Sequence, residues 1–167
     1  GKGKNTTDLR KMQIPLGPVA IFGAANFPLA YSTAGGDTAC ALAAGCTVIV
    51  KAHPAHAQSS QLIADIIAAT LIELKMPKNI FQHLHGVSKE IGKALVSHPL
   101  IKAVGFTGSL KGGKQIFDWG QQRPEPIPVF AEMSSVNPVF ILQEKLITEA
   151  EEYAKLLAAS INSSTGQ

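Results

Sequence analysis

Val19-Ala20-Ile21-Phe22-Gly23-Ala24-Ala25-Asn26-Phe27-Pro28 is the stretch whose reading decides the fold. Its first half is an unbroken apolar run ending in glycine, the texture of a strand covered on both faces. An Ala- and Leu-rich segment follows and closes on Ala44-Gly45, after which a second short β-branched run, Thr47–Lys51, begins. Strand, helix and strand in this rhythm make a βαβ unit and predict an α/β protein, a Rossmann-like parallel sheet with helices on both faces.

The alternation continues outward. Candidate strands are Val19–Gly23, Thr47–Lys51, Ile80–His85, Ala103–Thr107, Val129–Glu132 and Val139–Leu142; candidate helices are Leu29–Ala44, Ser59–Lys75, Lys89–Ser97, Leu110–Gln121 and Thr148–Ile161. In the second helix Leu62, Ile63, Ile66, Ile67, Leu71 and Leu74 form an i, i+3, i+4 stripe expected to pack on the sheet. Gly45 and Met76-Pro77 are the expected stops of the first two helices. Arg123-Pro124-Glu125-Pro126-Ile127-Pro128 must be an extended connector, because three prolines bar a helix there. The strand, loop, strand passage around Met133–Pro138 lacks a helix and suggests a domain crossing near residue 133. The expected organisation is therefore one α/β domain over residues 1–132, with 1–17 as its N-terminal arm, and the start of a second over 133–167.

Composition narrows the class of function. The chain has 167 residues, 46% of them hydrophobic, enough for one sizeable core. Lysine plus arginine number 15 against 12 acids, and Lys2, Lys4, Arg10 and Lys11 crowd the N-terminal arm. Without a basic stripe or interleaved aromatics there is no reason to expect a nucleic-acid partner. No apolar run is long enough to cross a bilayer or to act as a secretion signal, which predicts a cytoplasmic protein without a membrane partner. Cys40 and Cys46 make neither a disulfide framework nor a metal-ligand set and are expected to be buried free thiols.

In open α/β sheets ligands gather at the C-terminal ends of strands. The first such turn offers Asn26, whose amide can serve an oxyanion hole or simply cap the next helix, with Pro28 placed to begin it. The second, Val50-Lys51-Ala52-His53-Pro54-Ala55-His56, ends a buried strand in a lysine that can reach ribose or phosphate oxygens or else snorkel at the sheet rim. It carries no carboxylate of the kind that binds an unmodified adenosine ribose, which tilts the reading toward a 2′-phosphorylated cofactor or no strong preference. Two histidines without a nearby Cys, Asp or Glu make a poor metal site, so no metal is expected. The fourth strand runs into Phe106-Thr107-Gly108-Ser109, where free backbone N–H groups at a helix start can meet a pyrophosphate or where Ser109 merely caps. The GxGxxG fingerprint is absent. The fifth ends in Glu132, a carboxylate expected to be partly desolvated and so suited to proton abstraction, or else paired with a rim lysine. His83, His85 and His98 have weaker claims.

The order and spacing of four motifs, Asn26-Phe27-Pro28, Lys51, Phe106-Thr107-Gly108-Ser109 and Glu132, resemble those of the aldehyde dehydrogenases from Pro15 onward. The text around Ala34–Ala39, Ala44–Cys46 and Lys51–His56 looks more particularly like the bacterial 2-oxoglutarate semialdehyde branch, with fatty aldehyde dehydrogenases next. The resemblance implies that Asn26 donates to the hemithioacetal oxyanion and that Glu132 activates water for thioester hydrolysis. It implies NADP or NAD as cofactor, with Lys51 on the adenosine ribose and Gly92, Gly108 and Ser109 along the adenine and pyrophosphate path. The expected cofactor contacts also take in Phe22, Gly23, Ala24, His53, Phe106 and Thr107. A small-molecule aldehyde as substrate and a homodimer or homotetramer as assembly follow from the same resemblance.

Three departures stand out. The acid that commonly follows the lysine gives way to His53-Pro54, and the usual Glu-Leu-Gly-Gly becomes Glu132-Met133-Ser134-Ser135. The family's nucleophilic cysteine follows a Gly-Gln pair, and Gly166-Gln167 closes the chain. It is thus expected to be a piece of a longer enzyme, inactive alone. Two other readings stay open, an acylating relative that passes its thioester to coenzyme A, which Glu132 disfavours, and a nucleotide-binding module without chemistry.

Overall fold

The computed structural model describes residues 8–165. Five strands, β1 (Val19–Phe22), β2 (Val48–Lys51), β3 (Phe81–Leu84), β4 (Ala103–Thr107) and β5 (Val129–Glu132), form one sheet in the order β3-β2-β1-β4-β5, every pair parallel. Helices α1 (Gly36–Ala43), α2 (Ala57–Glu73), α3 (Lys89–Ser97) and α4 (Leu110–Gln121) connect successive strands. The chain winds outward from β1 in both directions, so the strand order reverses between β1 and β4 and leaves a crevice there. The α/β expectation is met.

Strand alternation divides the core into two layers. Val19, Ile21, Val48, Val50 and Ala103 face α1 and α2, whereas Ala20, Phe22 and Val104 face Leu95, Val96 and Ile116 of α3 and α4. Both faces are covered, which is why these strands read as continuous apolar runs. Gly45 holds φ at +84°, the left-handed conformation that ends α1 and that a side chain would resist.

Several boundaries differ from expectation. Residues 28–35 form turns instead of the start of a helix, and α1 begins only at Gly36. Pro28 therefore does not open it. The turns are fixed by Gly35 N–H donating to Ser32 and Gly36 N–H to Ala30, and a Cβ on Gly35 would stand 2.6 Å from the Ala30 carbonyl. Val139–Leu142 is not a strand, since no described strand pairs with it and Val139, Phe140 and Leu142 are exposed. On α2 the buried line runs through Ser60 and Ala64, with Ile67 and Leu71 packed against the core; Leu62, Ile66 and Leu74 of the expected stripe point outward. Apolar residues on both sides of this helix hid its orientation. Cys46 is buried as expected but Cys40 is exposed on α1.

The proline-rich connector is anchored by Arg123. Its buried guanidinium donates to the carbonyls of Val96 at 3.1 Å, Ile101 at 2.9 Å and Pro99 at 3.4 Å, and so ties the end of α3 and the approach to β4 to the chain leaving α4.

The chain separates into two compact units at Ser134/Ser135. The first holds the sheet and α1–α4. The second holds α5 (Gln143–Asn162), which carries one non-helical residue, Glu149, and an Lys145–Glu149 ion pair at 2.6 Å. Among the described residues no helix is long and apolar enough to cross a membrane.

Candidate functional site

At the C-terminal edge of the sheet the ends of β1, β2, β4 and β5 and the start of α3 border an open cleft of about 900 Å³. That volume suits a dinucleotide-sized ligand. Phe22, Gly23 and Asn26 reach it from β1, Lys51 and His53 from β2, Phe106, Thr107, Gly108 and Ser109 from β4, Glu132 from β5 and Gly92 from α3. Eleven of the twelve residues singled out in the sequence thus share one wall. Ala24 is the exception: it is 3% exposed, does not line the cleft, and spends its backbone on the loop, with its N–H donating to Tyr31 and its carbonyl accepting from His56.

Local structure explains each placement. Gly23 is needed because a Cβ there would meet the Ser32 backbone at 2.5 Å, so only glycine lets the 24–35 loop fold back and present Asn26. In the second turn His53 caps a short 3-10 turn, Pro54–His56, by accepting from the Ala55 N–H. His56 braces the turn from behind, its Nε2 donating to the Ala24 carbonyl at 2.8 Å and its Nδ1 pairing with the buried Ser60 hydroxyl at 2.9 Å. This explains the histidine pair without a metal; among the described residues no group of three potential ligands exists.

Ser109 is the N-cap of α4 and accepts from the Gly112 N–H at 3.2 Å, so its hydroxyl is engaged in capping while the positive helix end still faces the cleft. Thr107 and Glu132 are register partners, and the Gly108 N–H donates to the Glu132 carbonyl. The phosphate-type turn and the carboxylate are therefore joined backbone to backbone. Glu132 itself is exposed at the sheet's edge, contrary to the desolvation expected of it, because β5 is an edge strand with only β4 beside it. Met133 packs on Gly113, where a Cβ would come within 2.5 Å of its side chain.

The cleft is cationic. Lys51, Lys89, Lys111 and His53 line it, and Glu132 is the sole carboxylate among its described lining residues. Burial draws the Lys51 ammonium below its ordinary 10.5. His53 is likewise lowered from 6.5, by burial first and then by His56 and Lys51, and His83 on β3 is lowered by burial and His85. Folded-state values below the unfolded value mean stability that is present above about pH 6.5 and lost as the pH falls through that range toward the folded values. We expect the melting temperature to fall on acidification from pH 7 to pH 5, and His83→Gln, which cannot take up a proton, to flatten that fall; an unchanged slope would count against this origin.

Three lining residues were not visible as functional in the sequence. Lys89 follows Ser88 at the start of α3, Lys111 lies in the first turn of α4, and Trp119 sits one helical turn beyond the core residue Ile116. Only the last had a signal, as the chain's single tryptophan at helical spacing from an apolar residue. Gly166 and Gln167, on which the expected cysteine context rests, lie outside the described residues.

The family model described as the aldehyde dehydrogenase family matches residues 2–167. An alpha-ketoglutaric semialdehyde dehydrogenase of Acinetobacter baylyi is 51% identical over 160 residues, and alpha-ketoglutaric semialdehyde dehydrogenase 2 of Azospirillum brasilense is 50% identical over 161. Each match covers 96% of this chain and 30% and 31%, respectively, of the relative, so the chain spans under a third of the length of these curated relatives. Among solved structures, an NAD-dependent benzaldehyde dehydrogenase from Corynebacterium glutamicum superposes with a TM-score of 0.60 at 26% identity, over 72% of this chain and 25% of that one. A doubly wound sheet without GxGxxG, the four motif turns on one cleft and a match along almost the whole chain agree: this chain belongs to the aldehyde dehydrogenase family.

Proposed function

We propose that the protein to which this segment belongs oxidises an aldehyde to a carboxylate with NADP or NAD as hydride acceptor, the aldehyde being 2-oxoglutarate semialdehyde. The observation that carries the reading is the meeting of Asn26 and Glu132 in the same cleft as Lys51 and the Phe106–Ser109 turn. The names of the two relatives at about half identity support the substrate, and that of the benzaldehyde dehydrogenase supports a nicotinamide cofactor.

The residues present fit a dinucleotide. Gly92 lines the cleft beside Phe22 and Trp119, and a Cβ there would stand in contact with both rings, at 3.5 Å and 3.7 Å. Lys51 offers a cation at the end of β2, and the N-terminus of α4 offers backbone N–H groups and a positive dipole to a pyrophosphate. When bound, the cofactor supplies a hydride acceptor. In the chain's own terms, Lys51 and His53 hold the ribose end, Gly108 and Ser109 the pyrophosphate, Asn26 donates to the oxyanion, and Glu132 takes the proton of the hydrolytic water. Residues 1–132 then serve as the dinucleotide-binding domain and 133–167 as the start of the catalytic domain, in a cytoplasmic homodimer or homotetramer.

Spectrophotometric assay of the full-length protein with 2-oxoglutarate semialdehyde tests this reading, and no aldehyde-dependent formation of reduced cofactor would overturn it. With Lys51 and His53 at the ribose end and no carboxylate in that turn, kcat/KM for NADP should equal or exceed that for NAD. A strong preference for NAD would refute the assignment of the Lys51–His56 turn.

A further inference from the structure

Asp37 is a carboxylate that the reaction scheme above leaves unused. It stands in the first turn of α1, beneath the end of the sheet. A Cβ on Gly105 would lie 3.2 Å from its Oδ2, so only the missing side chain of Gly105 lets the carboxylate reach β4. There it accepts a hydrogen bond from the Thr107 hydroxyl. Gly105 and Thr107, two apart on β4, face the same side of the sheet, and Glu132 is the register partner of Thr107, so its side chain leaves β5 on that side too. Asp37 and Glu132 are close enough to repel.

We propose that Asp37 is a positioning residue for Glu132: anchored by Thr107 in the space left by Gly105, its negative charge keeps the Glu132 carboxylate turned away from the sheet and into the cleft. The inference rests on the reading of Glu132 as base. The alternative is an acid that merely favours the N-terminus of α1, where a negative charge stabilises a helix. The two differ in sign. Although much of the Asp37 surface is exposed, its tip is backed by β4, and desolvation raises its pKa, with the Thr107 hydrogen bond opposing and Glu132 adding to the rise. A raised value means that the charged form costs stability at neutral pH, as expected of a group kept for function.

The test uses the full-length protein and Asp37→Asn, which keeps the shape and removes the charge. The melting temperature should hold or rise while steady-state kcat falls about tenfold, part of the roughly 10²–10⁴-fold that a general base contributes. The pre-steady-state hydride burst and the cofactor KM should stay within about twofold, because a change confined to deacylation touches neither. Added to Glu132→Gln, Asp37→Asn should lower turnover no further, since the two act as one unit. Should the Asn variant fold poorly, Thr107→Val, which removes the donor, should reproduce the loss of kcat and Thr107→Ser should restore it. A lower melting temperature with unchanged kcat, or a rise in KM alone, would overturn the proposal and leave Asp37 as a helix-end charge. If Glu132→Gln itself turns over normally, the reading of the base fails instead, whatever Asp37 does.

Discussion

Glu132→Gln in the full-length protein is expected to abolish steady-state aldehyde oxidation, with kcat lower by about two to four orders of magnitude, while a single burst of reduced cofactor survives. Glutamine keeps the length and planarity of the side chain but cannot accept a proton, so only the step that needs a base suffers. In the proposed scheme hydride leaves before water attacks the thioester, so the first turnover passes hydride transfer and then stalls. Rapid mixing followed at the absorbance of the reduced cofactor measures burst and steady state together. Loss of the burst as well would contradict a role confined to deacylation.

The second large effect concerns stability. Arg123→Ala should cost about 2–5 kcal/mol, read as a lower denaturation midpoint, because it leaves the buried carbonyls of Val96 and Ile101 without their donor. Within the proline-rich segment Pro124, Pro126 and Pro128 lack N–H groups and the Ile127 N–H is spent on the Gly120 carbonyl, so the connector has few backbone donors to offer in its place. Arg123→Lys should recover little, since one ammonium cannot reproduce a planar fork that spans three carbonyls. A midpoint equal to the wild type would show that water replaces the guanidinium at no cost. In the sequence Arg123 is no more than the first residue of the proline-rich connector, and only the convergence of α3, β4 and the connector turns it into a core residue.

Much of the rest was legible along the chain. Five of six candidate strands exist, and α3 and α4 have the expected bounds, because continuous apolar runs and cap signals such as Ser109 are local properties. Val139–Leu142 shows the limit: an apolar β-branched run becomes a strand only with a partner to receive its hydrogen bonds. The stripe on α2 failed in orientation for a related reason, since apolar residues occupy both sides of that helix and the sheet selected the side bearing the small residues Ser60 and Ala64. Ala24 lies in the same turn as Gly23 and Asn26 yet is turned inward, because successive residues of a turn point in different directions.

By itself, then, the sequence determined the fold class, the family and the turns that carry polar groups, since strand texture, helix caps and motif spacing are all written in neighbouring residues. The tertiary structure alone decided which of those groups meet. Placing Asp37 under Thr107, joining Gly108 to Glu132 and burying Arg123 each require segments 20 to 70 residues apart to converge, and that convergence is set by packing across the sheet, which no local pattern encodes.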